Sequence, residues 1–192
     1  MARKRLVAKY GEGNRKYELN IILKQSISEV EVNKKLGEFE AICNELGSKV
    51  FKKVSTKLRS FAYPIESKNN LKGFFACLYI ETSADSINEI KRRISLEDGV
   101  LRTLIILHNP KKLSTGIFEK NYEDDSDKPK KKSLSYDDPN YLIRFIGERG
   151  RIEARRQSLG KKTPEGLALK QRKISREIKR SRFFSLLPYL SD

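Results

Sequence analysis

The chain of 192 residues has no tryptophan, one methionine, one histidine and two cysteines. Cys43 and Cys77 sit far apart, each inside an apolar stretch, which reads as two buried thiols in a reducing compartment rather than a disulfide framework. Two cysteines and the single His108 cannot assemble a zinc site at that spacing. Long apolar runs are missing too. No stretch is long enough to span a bilayer, and "MARKRLVAKYGEGNRKYELN" has no continuous apolar core of the kind a secretory signal needs. An organelle transit peptide would be serine-rich, yet the first serine is Ser26. Acidic residues are the other deficit, 25 Asp and Glu against 41 Lys and Arg, for a net charge of +16 and a pI near 9.8. Such a field concerns partners rather than fold, and its commonest partner is nucleic acid. The excess is uneven. Residues 1–110 carry 20 basic and 13 acidic side chains, whereas 141–192 carry 14 and 5 in about half the length. The C-terminal part is therefore the stronger polyanion candidate.

What is present in the first half alternates between two periods. In "KYELNIIL", Tyr17, Leu19, Ile21 and Leu23 fall on one side of a strand. "SISEVEVNKKLGEFEAICNELG" opens with a capping box, Ser28 and Glu31, and repeats Val32, Leu36, Phe39, Cys43 and Leu46 at helical spacing up to Gly47. "KVFKKVSTKLRSFAYPI" returns to strand-type composition before the polar loop "ESKNNLKG". "FFACLYIE" alternates Phe74, Ala76, Leu78 and Ile80 on one face with Phe75, Cys77 and Tyr79 on the other. A second capped helix is predicted from Ser83, with Ile87, Ile90 and Ile94 as its stripe, and "VLRTLIIL" is the last strand. The order is βαββαβ, the split βαβ of ferredoxin-like domains. Both helices then cover one sheet face, so Phe75, Cys77 and Tyr79 point to a face left open for a partner.

That element order also belongs to the RNA-recognition motif, but "KGFFACLY" has Phe75 where a small residue belongs and Ala76 where a stacking aromatic belongs. A free RNA-binding regulator built on that motif is the alternative function. "KYELNIIL", "LRSFAYPI" and "LEDGVLRTLIIL" together resemble the small-subunit ribosomal protein six family of bacteria and organelles, over Lys16 to Leu107. The resemblance implies a ferredoxin-like fold, a place on the platform of the small subunit, and ribosomal protein eighteen as partner.

Beyond it, the acid cluster Glu123 to Asp127 and the run Lys128 to Lys132, with Pro and Ser between, read as a flexible linker. "DPNYLIRFIGERGRI" is expected to start a helix, with Asp138 as cap, Pro139 at its first position and Gly147 or Gly150 near its end. A final helix is expected from near Pro164 to about Phe184, with Leu167, Ile174 and Ile178 as a narrow seam. Around that seam stand Lys170, Arg172, Lys173, Arg176, Lys179, Arg180 and Arg182, with Glu177 as the one acid among them. A solvated face would interleave acids with bases, and a membrane-surface helix needs a broad apolar face. Neither fits, and a phosphate-facing helix does.

"YLIRFIGERGRI", "RRQSLG" and "LKQRKISREIKRSRFFSLLPY" resemble ribosomal protein eighteen of the bacterial-type small subunit over 134–190, the last piece looking most like plastid and cyanobacterial members. "KKTPEGLA" stands as an insertion, and "KPKKKS" replaces the family's basic leader, so no metal contact carries over.

The expected organisation is α+β: a basic N-terminal arm at 1–15, a ferredoxin-like domain at 16–108, a flexible linker at 109–134, and a small basic, mainly helical domain at 135–192. A linker of that length has an r.m.s. reach of about 30 Å, enough for the halves to dock in one chain. Phe183, Phe184, Leu186 and Leu187 are expected to dock on the open sheet face, at Phe75 and Tyr79, or on an adjoining edge of the first domain. Small-subunit rRNA is expected on Arg149, Arg151, Arg155, Arg156 and the seven cations of the final helix, with neighbouring small-subunit proteins as further partners and no membrane. Nothing offers a paired acid and base, a phosphate-cradling Gly loop or a nucleophile beside a histidine, so neither catalysis nor a cofactor is expected. His108, at a strand's end, reads as structural. The expected location is a ribosome, in a bacterial cytoplasm or alternatively an organelle matrix.

Overall fold

The computed structural model describes residues 14–66, 70–108, 134–153 and 167–190. All but the last two residues of the N-terminal arm, all but the last residue of the linker, the greater part of "KKTPEGLA", and Arg155 and Arg156 lie outside the described residues. Two compact units divide the chain, one made of 1–55 and 75–109, the other of 56–74 and 110–192.

In the first unit, β1 (Arg15–Lys24), α1 (Glu29–Glu45), β2 (Lys49–Ser55), most of β4 (Lys72–Thr82), α2 (Ser86–Leu96) and β5 (Val100–Leu107) follow the expected order. The sheet runs β2-β4-β1-β5, the ferredoxin-like arrangement in which each helix crosses between strands that are not neighbours. β1 pairs antiparallel with β5, from Tyr17 opposite Leu107 to Leu23 opposite Val100, and β2 with β4, Lys53 opposite Leu78 and Lys52 opposite Tyr79. α1 packs on β2, α2 packs on β5, and the helices touch each other.

α1 begins where its sequence says. Ser28 Oγ accepts from Glu31 N (3.3 Å), and Ser28 N (2.9 Å) and Oγ (3.1 Å) donate to Glu31 Oε2, the two bonds to the carboxylate holding it below its ordinary pKa. Val32, Leu36, Phe39 and Cys43 are all buried, and burial pushes the Cys43 thiol up to about 11, so it behaves as a small apolar group. α2 starts three residues later than predicted. The Ser83 hydroxyl bonds to that of Ser86 (3.1 Å) instead of to a backbone amide, and Asp85 at the N-cap makes no side-chain cap bond. Ile90 and Ile94 are buried as expected.

Burial in the sheet exceeds what alternation predicts. In β1, Asn20 and Ile22 are as buried as Leu19, Ile21 and Leu23. In β4, eight consecutive residues, Gly73 to Ile80, are buried. Phe75, Cys77 and Tyr79, on the face expected to receive a partner, are all buried. Around Tyr79 the cause is visible, because the rings of Phe51 and His108 lie 5.9 and 5.4 Å from it and the Lys52 ammonium lies over it.

In the second unit, β3 (Arg59–Ser60) pairs with the start of β4, Arg59 opposite Gly73. The helix expected from Asp138 is short: α3 (Pro139–Leu142) is one turn, followed by a 3-10 turn over Ile143–Phe145. Asp138 does cap it, accepting from Tyr141 N at 3.1 Å. After Phe145 the backbone is extended at Ile146 and bridges to Ile152, with Gly147 N donating to Arg151 O and Gly150 N to Gly147 O. This small loop lets Ile146 and Ile152 pack on the core formed by Leu142, Phe145, Ile174, Ile178 and Leu187, which a continued helix would not allow. The last three come from α4 (Leu167–Phe183) and the turn after it.

Candidate nucleic-acid interface

Successive residues of an α-helix are about 100° apart. Ile174, Ile178 and Ser181 therefore share one side of α4, and all three are fully buried. Arg172, Arg176 and Lys179 fall on the opposite strip, with Lys173 beside them, and all four are exposed. Leu169 and Phe183 are the apolar members of that surface, 68% and 39% exposed. From Arg172 to Phe183 the strip is about 16 Å long. Lys170 is exposed but lies one flank away, in line with Glu177.

Glu177 does not dilute this surface. It is buried, accepting from Tyr136 N through Oε2 (3.1 Å) and from Arg180 Nη1 through Oε1 (2.9 Å). A carboxylate that ties the incoming chain at Tyr136 to the helix is a structural group, and the charged side chains on the exposed strip of α4 are all basic. Arg180, half-buried, is partly neutralised by that bond.

Arg182 separates from the other cations. It is buried, donating through Nε to Pro188 O (3.1 Å) and through Nη2 to Gly150 O, with its guanidinium 5.5 Å from the centre of the Tyr189 ring. Arg149 and Arg151 flank Gly150 and are exposed. The expected RNA residues thus divide into an exposed set (Arg149, Arg151, Lys170, Arg172, Lys173, Arg176 and Lys179), a half-buried Arg180, and an Arg182 engaged by backbone carbonyls.

The residues expected to dock show a similar division. Leu187 belongs to the unit's own core, and Phe184 is fully buried with its ring 6.4 Å from Tyr136. Leu186 is half-buried and Phe183 stays partly exposed. Phe75 and Tyr79, strand residues of the first unit, are buried.

Sequence reasoning missed the polar contacts of the segment Phe61 to Ile65, which lies in the second compact unit. Ala62 N donates to Ser185 O (2.7 Å), Ser185 Oγ donates to Tyr63 O (2.7 Å), and Tyr63 Oη donates to Arg182 O (2.6 Å). The Tyr63 and Tyr189 rings meet at 5.4 Å, edge to face. Ser185 takes a left-handed φ of 50°, which turns the chain sharply after α4 and presents both its carbonyl and its hydroxyl to Ala62 and Tyr63. "AYP" and "FFSLLPY" were each visible as motifs, but no local rule joins positions 122 apart in sequence. Among the described residues, no group of three or more His, Cys, Asp or Glu is placed to hold a metal ion.

Comparison with known proteins bears on both parts of the chain. The model of the ribosomal protein S6 family matches residues 16–107, and that of ribosomal protein S18 matches 130–187. Small ribosomal subunit protein bS18 of Cytophaga hutchinsonii is 43% identical over 60 residues, 31% of this chain and 64% of the relative. Small ribosomal subunit protein bS6 of Paramagnetospirillum magneticum is 36% identical over 90 residues, 47% of this chain and 61% of the relative. The bS6 of Corynebacterium aurimucosum is 35% identical over 92 residues, 48% of this chain and 94% of the relative. A solved structure of 30S ribosomal protein S6 from Thermotoga maritima aligns with 21% identity and a TM-score of 0.45, covering 50% of this chain and 88% of its own. Over its first half the chain belongs to the ribosomal protein S6 family, and residues 130–187 of the same polypeptide match the ribosomal protein S18 model.

Proposed function

We propose that the chain is a structural protein of the small ribosomal subunit, in a bacterial-type cytoplasm, in which the S6 and S18 segments act as one paired unit joined through 109–134. Its S18 segment binds small-subunit rRNA of the platform by backbone contact, and its role is assembly and support of the subunit rather than catalysis. The observation that carries this reading is the exposed face of α4, where Arg172, Lys173, Arg176 and Lys179 stand together while Glu177 is turned inward. Exposed guanidinium and ammonium groups with no acid among them suit phosphate oxygens, arginine adding planar bidentate contact. Arg149 and Arg151 extend the cationic surface onto the Gly150 loop.

The test is the triple variant Arg172→Glu, Arg176→Glu, Lys179→Glu in the full chain. It is expected to keep its circular dichroism and thermal midpoint, to lose binding to a platform rRNA fragment, and to leave the small-subunit peak on a sucrose gradient. Unchanged affinity at physiological salt would refute the assignment. Sedimentation of the natural chain away from the small subunit would favour a free RNA-binding regulator instead.

A further inference from the structure

The loop that carries Arg149 and Arg151 is short and closed on itself. Ile146 bridges to Ile152, Gly147 N donates to Arg151 O (2.8 Å) and Gly150 N donates to Gly147 O (2.9 Å), so Glu148 and Arg149 form the tip of a tight turn. These bonds shape the loop, and two side chains of α4 hold it in place. Gln171 Nε2 donates to Glu153 O (2.8 Å) near the start of the helix, and Arg182 Nη2 donates to Gly150 O near its end. The two anchors lie about 16 Å apart along the helix axis.

Gly150 is the fixed point of the loop. Its N–H is bonded to Gly147 O, its carbonyl to Arg182, its φ is 69°, and its Cα lies so near the Tyr189 and Leu190 backbone that no Cβ fits. Arg182 is itself held. Its Nε donates to Pro188 O (3.1 Å), its guanidinium lies 5.5 Å from the centre of the Tyr189 ring, and its carbonyl accepts from Tyr63 Oη (2.6 Å). The side chain is buried and its donors are directed at carbonyls within the unit. Arg149 and Arg151, on either side of Gly150, are exposed.

We propose that Arg182 is a positioning residue for phosphate binding: it meets no phosphate itself and, through the Gly150 carbonyl, holds the backbone from which the Arg149 and Arg151 guanidinium groups reach phosphates alongside α4. This rests on the reading of α4 and the Gly150 loop as the RNA-binding surface. The physical reason is entropy. A long arginine side chain is ordered on binding in any case, whereas a backbone that also had to be ordered would weaken binding by roughly tenfold for each residue fixed. A loop anchored before the ligand arrives avoids that cost. Arginine suits the task because its planar fork reaches two carbonyls at once, while the ammonium of a lysine would keep the charge and lose the fork.

A double-mutant cycle on binding of the full chain to a platform rRNA fragment tests this, with Arg182→Lys as one arm and Arg149→Ala plus Arg151→Ala as the other, each chain first shown to be folded by circular dichroism. In the parent, removing the two loop arginines is expected to weaken binding by roughly tenfold or more and to lower the slope of log K against log salt by about 1.5. In the Arg182→Lys background the same removal should cost less than about threefold, while Arg172→Ala costs the same in both backgrounds. An Arg182 that only supports the fold would not single out the loop. Equal costs of the loop substitutions in the two backgrounds would overturn the positioning role, as would an equal loss of the Arg172 effect. If the loop arginines cost nothing in the parent while the α4 triple variant still abolishes binding, the positioning role falls and the helix keeps its function; if the triple variant binds normally, both fall. Should Arg182→Lys not fold, NMR relaxation of the natural chain without RNA decides instead. Backbone order parameters at Arg149 to Arg151 are expected to match those of α4, about 0.85, and values below about 0.6 would overturn the proposal.

Discussion

The Arg182 guanidinium reaches 32 positions back along the chain to donate through Nη2 to the carbonyl of Gly150. Its Nε donates to Pro188 O, so one side chain holds the end of α4, the loop after Ile146 and the C-terminal turn together. In a segment where neighbouring arginines face solvent, this one is a structural residue.

Arg182→Ala should therefore destabilise the protein by about 2–4 kcal/mol, since it strips the buried carbonyl of Gly150 and the partly buried one of Pro188 of a charged donor. Arg176→Ala, on the exposed strip, should stay within about 0.5 kcal/mol of the parent. Urea denaturation of the two variants makes the comparison. Equal stabilities would mean that the Arg182 contacts contribute nothing.

Gly150 is required by both backbone and space. Its φ is 69°, and a Cβ there would collide with the carbonyl oxygen of Tyr189. Gly150→Ala is expected to cost more than about 1 kcal/mol. Gly37, inside α1, has nothing within 4 Å of its would-be Cβ. There Gly37→Ala should raise stability by about 0.5–1 kcal/mol through helix propensity and unfolded-state entropy. Opposite shifts in denaturation midpoint are the expected result.

Acid sensitivity should report on Glu89. Hydrogen bonds from Arg92 (2.7 and 3.0 Å) and Arg93 (3.1 Å) hold its carboxyl down to about 2, against an ordinary value of 4.5. A carboxyl depressed in the folded state stabilises fully above its unfolded pKa, and that contribution is lost as pH falls from 4.5 through the folded value. The difference in stability between the parent and Glu89→Gln should be constant above about pH 5 and shrink steadily toward pH 2. Solvent screening of this partly exposed ion pair keeps the difference small. An NMR titration of the Glu89 side chain provides the independent check.

Salt dependence should count the phosphate contacts. Each of Arg172→Ala, Arg176→Ala and Lys179→Ala is expected to reduce the slope of log K against log salt by about 0.7–0.9, without altering stability. Lys170→Ala, off the strip, should change the slope less. A variant that lowers affinity with an unchanged slope would not be losing a phosphate contact.

Several elements were legible from neighbouring residues alone. The Ser28–Glu31 capping box, the Val32 to Cys43 stripe, the Asp138 cap and the Ile174–Ile178 seam all appear in the structure, because each depends on groups within one or two helical turns. Strand order was legible for a similar reason, as two βαβ units leave few ways to close a sheet. The cations of α4 were countable in the sequence, but their orientation was not. Glu177 and Arg182 looked like members of one charged surface until Tyr136, Gly150 and Pro188 were found to bind them.

The set of elements, their apolar stripes, the basic character of the second half and the resemblance to two ribosomal families were thus readable before any fold was known. Only the tertiary structure decided where the helix after Asp138 ends, which arginine is structural, that Tyr63 meets Ser185, and that Phe51, Tyr79 and His108 converge. The physical reason is range. Caps and periodicities act over a few residues, whereas a buried charge or a ring cluster is satisfied by whatever groups the folded backbone brings from distant parts of the chain.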